Sequence, residues 1–581
     1  MQWMNQIVEM LWSLPTFVTL LSLGILFSIW SKFVQFRALT HGVAVIRGKY
    51  DDRDDPGAIN HFQALSAALS GTVGLGNIGG VALAIAMGGP GALFWMWVTG
   101  FLGMAIKTIE VTLAMLYRDT SNPQQPYGGA MYVVTRGVSP TANPLIKAGS
   151  WVLAIFFSLT LLLATMTGGN MFQAWNVAAI TNQYFGIPGI VSGIVLAVAT
   201  GVVILGGIQR IGDVAGRLVP LMCGLYVLAG LAVLVVEAAN VPELLKNVVQ
   251  EAFSPTTAQG AFLGATAWFG LTTGLRRALF SNEAGQGTSP IAHSAARTSE
   301  PVREGIVAGL EPFVDTCIVC TLTALVILAT NTWNRDADGK FGGQVSVVQQ
   351  GESWVVVGST DSALLPKLPA PDVWAPGNGF FLLAEVPTES GTTGTKLAKV
   401  KGKLVADTNS TNGLKIEWDT PPSNAKLLEG NGIYRELVGA ALTGLAYDRA
   451  IPGLGKYMVT AACWLFAFST LISWSYYGET ATVFMLGKWA IMPYRLVYCL
   501  ATAAITLPNV IQTDTDLGNL SDLGTGFMLV ANVPIILIWS PVAIRAIRDY
   551  FLRLDAGAFG PGHEADSLIE MVEDRQVDPE K

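Results

Sequence analysis

The stretch Ser70-Gly-Thr-Val-Gly-Leu-Gly-Asn-Ile-Gly-Gly80 lies in the middle of an apolar run, residues 65–87, long enough to cross a bilayer. A helix in hydrocarbon must satisfy its own backbone polar groups, because no water is there to do it. Glycine costs about 1 kcal/mol relative to alanine in a helix interior. Five glycines in ten residues (Gly71, Gly74, Gly76, Gly79 and Gly80) therefore predict that this helix opens. Broken backbone persists at membrane depth only where it lines a cavity or is buried in protein. Its freed amides then suit an anion and its freed carbonyls a cation. The stretch reads as half of a transport site.

Other patterns fit the same letters. Gly74-Leu-Gly-Asn-Ile-Gly79 is literally G-x-G-x-x-G, the dinucleotide fingerprint. That motif needs a strand before it, a helix after it and an acidic residue about twenty positions on. Here a spanning run surrounds it, and the next acidic residue is Glu110. Thr72-Val-Gly-Leu-Gly76 is similar to the T-V-G-Y-G carbonyl filter of potassium channels, so a cation channel using the carbonyls of residues 72–76 is a rival reading. That filter, however, sits in a loop between two helices and is repeated four times around a pore. Small residues for close helix packing are the third reading.

The composition is 51% hydrophobic and 13% charged, with mean hydropathy +0.46 and 63 glycines in 581 residues. Soluble domains average about 25% charged residues, so this chain has too little charge to cover a water-facing surface and reads as a membrane protein. The formal net charge of -7 gathers in polar segments such as Asp51-Asp-Arg-Asp-Asp55 and the tail, and no basic block suggests nucleic acid. All the cysteines (Cys223, Cys317, Cys320, Cys463, Cys499) fall in apolar runs, so no disulfide framework is expected. Cys317-Ile-Val-Cys320 reads as helix packing. The first residues lack the Lys, Arg and cleavage site of a signal peptide, and are read as a retained spanning helix.

A hydrocarbon core of about 30 Å needs roughly 20 apolar residues per helix. Eleven spans meet that criterion: 10–30, 65–87, 92–116, 148–180, 187–204, 218–236, 258–296, 306–329, 457–477, 491–507 and 526–544. Lys and Arg follow the odd spans, as with Arg37 and Arg47, Arg118, Arg210, Arg297, Lys488 and Arg545. The positive-inside rule then places the N-terminus outside and the C-terminus in the cytoplasm. Residues 1–332 hold spans one to eight, and 438–553 hold spans nine to eleven. Between them, 333–437 is polar and turn-rich, with β-prone pieces at Trp354-Val-Val-Val357 and Gly379-Phe-Phe-Leu-Leu383, and predicts a small β-rich extracytoplasmic insertion. Turns are expected at Asn424 and at Gly430-Asn-Gly432. Residues 554–581 read as a solvated cytoplasmic tail.

The seventh span carries a second interruption, Leu279-Phe-Ser-Asn-Glu-Ala-Gly-Gln-Gly-Thr-Ser-Pro290. With the first span set aside, the remaining ten split five and five, and the two broken helices open each half. Matched interruptions point to an inverted-repeat transporter with its site at the midplane. Asn170, Gln173 and Asn176 lie at depth; Gln173 suits a carboxylate, or helix–helix bonding. Ser469, Thr470 and Ser473 suit a hard monovalent cation, or their own helix backbone. Lys107 and Glu110 are spaced to pair with each other. Arg276, Arg277, Glu283, Glu311 and Asp315 read as gating or structural ion pairs. His293 could relay protons, but a lone histidine is usually structural.

Three motifs now carry a resemblance. Gly88-Gly-Pro-Gly-Ala-Leu-Phe-Trp-Met-Trp97, the stretch Arg277-Ala-Leu-Phe-Ser-Asn-Glu-Ala-Gly-Gln-Gly-Thr-Ser-Pro-Ile-Ala-His293, and Phe468-Ser-Thr with Trp474-Ser-Tyr-Tyr-Gly478 resemble those of the alanine or glycine:cation symporter (sodium:alanine symporter) family. Val73-Gly-Leu-Gly-Asn77 also resembles the unwound first helix of LeuT-type sodium:amino-acid symporters. The likeness covers most of the chain except about 333–437.

The resemblance implies an all-α polytopic membrane protein with a LeuT-like 5+5 inverted repeat preceded by one extra N-terminal helix. It implies a secondary symporter, not an enzyme, in the bacterial inner membrane, importing alanine or glycine with sodium and using no other cofactor. Substrate would be held by Thr72, Gly74, Leu75, Gly76 and Asn77, with the Leu75 and Gly76 amides on the carboxylate and Gln173 assisting. The amine would meet the Phe280 carbonyl and the side chains of Asn282 and Thr470, and Trp474 and Phe280 would cap the pocket. Carbonyls of Ser70 and Val73 with hydroxyls of Ser469 and Thr470 would hold sodium, and Thr72 with Asn77 a second cation. The insertion departs from the family pattern; a membrane sensor on a transporter scaffold, with 333–437 as its recognition module, is the remaining alternative.

Overall fold

A computed structural model describes residues 2–559 apart from 53, 254–266, 352, 359, 369–373, 375–377, 388–394, 408–412, 429–431, 438–439, 508–509 and 511–513. The expected tail beyond 559, the start of the seventh span, Arg53 and most of the Gly430-Asn-Gly432 turn lie outside the described residues.

The chain is a helical membrane protein. Seven helices among the described residues are long and apolar enough to cross a bilayer, and His61–Thr72 with Gly76–Gly88, bent by 52° between them, makes an eighth. Two of the expected spans are shorter than that. Gly189–Ile204 has 16 residues and Ile491–Ala504 has 14. At 1.5 Å per residue they reach about 21–24 Å, short of a roughly 30 Å core, and they pack on each other. The seventh span, described from Ala267, stops at the second interruption, after Asn282. Pro144–Phe185, by contrast, continues for 42 residues through a π-helical turn at Thr167–Met171.

Both glycine-rich stretches interrupt their helices. The first helix ends at Thr72, Val73 turns out with ψ 87°, and the chain resumes through π-helical Gly76–Gly80 into Val81–Gly88. The second ends at Asn282. Glu283, Gly285 and Gly287 then take φ of 55°, 85° and 81°, a left-handed path that glycine adopts without steric cost. Helix resumes at Ser289–His293, with Pro290 in its first turn, where a missing N–H costs nothing. The broken helices run antiparallel. His61–Thr72 lies beside Ser289–His293, and Val81–Gly88 lies beside Ala267–Asn282.

A short seam closes one end of this pair. Ala58 N–H donates to the Ala295 carbonyl at 2.8 Å, and Arg297 N–H to the Ile59 carbonyl at 2.7 Å. Gly57 is required there, because a Cβ would collide with the Arg297 backbone. Buried Arg118 gathers the carbonyls of Pro56, Ser294, Ala296 and Thr298. Its guanidinium thus serves as the donor for two loops that cannot pair fully with each other.

The polar insertion is a separate antiparallel sheet. Strands β1 (Gly339–Lys340), β2 (Val345–Gln350), β3 (Ser353–Gly358), β4 (Gly379–Pro387), β5 (Thr395–Ala406), β6 (Leu414–Trp418), β7 (Lys426–Leu427) and β8 (Gly432–Arg435) follow in chain order. The main sheet runs β1-β8-β4-β5-β6, with β7 on β4, and β2-β3 forms its own hairpin. Alternate β4 residues Phe380, Leu382, Ala384 and Val386 share one face and pack on Val400, Leu404, Ile416 and Ile433. The Asn424 turn is present, with φ 57°.

Arg118→Ala leaves four carbonyls without their donor and is expected to cost about 3 kcal/mol or more. The thermal midpoint of the detergent-solubilised protein measures this; an unchanged midpoint would mean that the seam holds without Arg118.

Candidate functional site

Four departures from the α-helix meet at one buried place: the two breaks, and the π-helical turns Thr167–Met171 and Phe313–Cys320. A π-turn widens the helix and leaves carbonyls and side chains free to point inward, which is why such turns recur at functional sites.

The first break is held by side chains rather than by its own helix. Gly74 N–H donates to Asn77 Oδ1 at 2.8 Å, and Leu75 N–H donates to Gln173 Oε1 at 3.2 Å. Gln173 in turn donates to the Gly168 carbonyl at 3.1 Å, tying the π-turn to the break. Asn77 Nδ2 reaches Ser281 Oγ at 2.9 Å and Asp315 Oδ1 at 2.5 Å, so it crosses to the second broken helix. Asp315 also accepts from Ser281 at 2.7 Å and Thr316 at 2.9 Å. Asn282 spans its own break, donating to Thr316 Oγ1 at 3.2 Å while its Oδ1 accepts from Ala284 N–H at 3.0 Å.

Glycine is sterically demanded where other groups crowd the break. A Cβ on Gly74 would stand 2.7 Å from Thr470 Oγ1 and 3.3 Å from Gln173 Oε1. One on Gly76 would stand 3.1 Å from the Phe280 ring. Phe280 packs edge-on against Phe172, with ring centroids 5.7 Å apart.

The helix Thr460–Leu486 supplies the facing wall. Ser70 Oγ donates to the Ser469 carbonyl at 2.6 Å, and Ser469 Oγ lies 3.4 Å from the Ser70 carbonyl. Trp474 Nε1 donates to the Gly71 carbonyl at 3.1 Å, and its ring fills the space that a Cβ on Gly169 would need. Thr72 Oγ1 stays with its own helix, 3.4 Å from the Ala68 carbonyl. Thr470 Oγ1, Ser473 Oγ, Asn170 Oδ1, Thr165 Oγ1 and the Tyr477 hydroxyl are buried without a partner. Buried polar atoms are normally hydrogen-bonded; of these, Thr470 Oγ1 stands against Gly74 and the Tyr477 hydroxyl against Gly71, so the first break has unpaired polar atoms facing it. The locus is occluded: Ser70, Asn77, Asn282 and Ser469 are fully buried, and Thr72, Gln173, Thr470 and Trp474 are nearly so.

Some expected partnerships differ. Lys107 and Glu110 do not pair. Lys107 reaches Ser289 and Glu311, while Glu110 accepts from Gly285 N–H at 3.2 Å and from Asn532 Nδ2 at 2.6 Å. Helical spacing brings the two close, but each finds a stronger claim on the second break. Arg276 pairs with Asp522, and Glu283 accepts from Thr288. His293 is not alone; it lies between Glu304 and Glu311. Asp315 is a hub of the locus, which its position inside an apolar run already hinted at. Tyr477 faces Gly71, with no sequence signal to separate it from a packing aromatic.

The sequence profile of the sodium:alanine symporter family matches residues 1–364 and 425–561. The sodium/alanine symporter AgcS of Methanococcus maripaludis is 30% identical over 94% of this chain and 96% of its own length. An uncharacterized transporter of Haemophilus influenzae is 28% identical over 95% of this chain and 96% of its own. The amino-acid carrier protein AlsT of Bacillus subtilis is 35% identical over 54% of this chain and 63% of its own. The residues between 365 and 424, which hold most of the sheet, fall outside the profile. The chain belongs to the sodium:alanine symporter family: it is a multi-pass, cation-coupled amino-acid symporter and not an enzyme.

Proposed function

We propose that this protein imports a small neutral amino acid, alanine or glycine, together with sodium, by alternating access across the bacterial inner membrane. The observation that carries the reading is the antiparallel pair of helices broken beside each other and joined through Asn77, Ser281 and Asp315. Antiparallel broken helices are what an inverted 5+5 repeat places at its centre. Here an extra helix precedes that repeat, giving eleven spans, with the N-terminus and the 333–437 insertion outside and the C-terminus in the cytoplasm.

A zwitterion is costly to bring to the midplane, and half-helix ends neutralise it without ionised protein groups. The Leu75 and Gly76 amides with Gln173 take the carboxylate, the Leu75–Gln173 bond being exchanged for one to substrate. Thr72, Gly74 and Asn77 shape that end. The Phe280 carbonyl, Asn282 and Thr470 take the amine; the unpaired Thr470 hydroxyl beside Gly74 supports this. Carbonyls of Ser70 and Val73 with hydroxyls of Ser469 and Thr470 take sodium, supported by the close Ser70–Ser469 approach. Thr72 and Asn77 contribute a second cation position. Trp474 and Phe280 limit side-chain size. Sodium and carboxylate each favour the other's binding, and that coupling is reciprocal.

Purified protein in liposomes is expected to accumulate labelled alanine or glycine only under an inward sodium gradient, and to lose accumulation when choline replaces sodium. Accumulation that persists in choline would remove sodium as the coupling ion. Gly74→Ala is expected to abolish uptake while leaving a folded protein. In competition assays Trp474→Ala is expected to admit bulkier amino acids, and unchanged selectivity would take Trp474 out of the pocket wall.

A further inference from the structure

Away from the substrate locus, buried titratable side chains tie the two broken helices together near their seam. His293, on the resumed part of the second broken helix, lies between two carboxylates. Its Nδ1 is 2.5 Å from Glu304 Oε1 and its Nε2 is 2.7 Å from Glu311 Oε1. The other Glu304 oxygen meets Nδ1 of His61, the first residue of the first broken helix. The other Glu311 oxygen accepts from Ser289 Oγ at 2.7 Å and lies 3.4 Å from the Lys107 ammonium. None of these five titratable groups is more than 1% exposed.

Counting protons gives a definite result. An ionised carboxylate only accepts, and a neutral imidazole has one donor and one acceptor. A carboxylate on each ring nitrogen of His293 therefore requires one proton more than a neutral imidazole and two carboxylates contain. With that proton, each His293 nitrogen donates to a carboxylate. Without it, one ring nitrogen and one carboxylate oxygen face each other with no hydrogen between them, and both are left buried and unsatisfied. His61 needs no extra proton. One nitrogen donates to Glu304 in the neutral tautomer, and its Nε2 has no partner.

The remaining charged or titratable groups facing this cluster are committed elsewhere or do not reach His293. Glu283 is bonded to Thr288, Glu110 to Gly285 and Asn532, and Asp315 to its three donors. Arg118 lies near Glu304 but donates to seam carbonyls. The Tyr477 phenol faces Glu311 from the helix Thr460–Leu486.

We propose that His293, Glu304 and Glu311 form a proton-binding site that clasps the two broken helices while loaded and releases its proton when they part. On release the His293 N–H bond breaks, the proton passes to entering water, and a neutral imidazole remains. Glu304 bonds to both broken helices, so separating them at this end must sever at least one of its two imidazole contacts. A cycle that opens this end therefore exchanges one proton with the solution. Its place in a cycle rests on the alternating-access reading above; the proton count does not.

The test is hydrogen–deuterium exchange of the full-length protein, without amino acid, on peptides spanning residues 56–66 and 289–304. Rates are corrected for the intrinsic pH dependence of exchange. Wild-type protection is expected to fall at least about ten-fold between about pH 6 and pH 10 as the proton is lost. Glu311→Gln satisfies a neutral His293 and should hold its protection level over that range. Glu304→Gln should do the same, and serves if Glu311→Gln does not fold. His61→Gln should retain the wild-type response. A flat wild-type profile, or the same profile in wild type and the carboxamide variants, would overturn the proposal. Failure to transport alanine would overturn the function proposed above and leave this result standing.

Discussion

Asp315 accepts hydrogen bonds from Asn77 on one broken helix, Ser281 on the other and Thr316 beside it. This one buried anion lets two helices stay open at membrane depth. Hydrocarbon offers nothing to freed peptide groups, so an isolated break would simply re-form helix or be expelled. Here each break is satisfied partly by its own side chains and partly from outside itself. Gln173 takes the Leu75 amide, Trp474 donates to the Gly71 carbonyl, and Glu110 and Asn532 take the amide and carbonyl of Gly285. The interruptions are thus mutually dependent, and neither could persist without the packing that brings them together.

That dependence bears on how the protein moves. Gln173 occupies an amide that the carboxylate reading assigns to substrate, and Asn282 already bonds to Thr316 and Ala284. Ligand entry must exchange these bonds for others rather than fill an empty, pre-paired cavity. The unpaired hydroxyls of Thr470 and Tyr477, which face Gly74 and Gly71, are acceptors and donors available for that exchange. Close-packed interiors switch between discrete arrangements more readily than they deform. A site built from swappable hydrogen bonds is suited to such switching.

Charge is handled by the same economy. Lys107, Glu311, Ser289 and His293 form one connected group, and Arg276 with Asp522 another. None of these residues stands as an isolated ion at depth. The insertion obeys different rules, because it is polar and carries its own core. Phe380, Val400, Ile416 and Ile433 close it without borrowing from the bundle. Its absence from much of the family profile fits an element added outside the transport machinery.

Several features were legible before any coordinates. The glycines of residues 71–80, and Gly285, Gly287 and Pro290, announced both interruptions, since these residues act on the backbone where they stand. The β-prone pieces and the Asn424 turn announced the sheet for the same local reason. The π-turn at Phe313–Cys320 was not legible, because nothing in an apolar run of that composition distinguishes a widened turn from a regular one. Nor were the partners of Lys107 and Glu110, which spacing along one helix suggested would pair with each other, or those of His293, which read as a lone histidine. By itself, then, the sequence determined that the chain is a multi-pass membrane protein and where two of its helices open. Only the tertiary structure decided which side chain meets each freed peptide group. Asn77 and Ser281 lie 204 residues apart, and their meeting depends on the antiparallel packing of two helices rather than on any property of either.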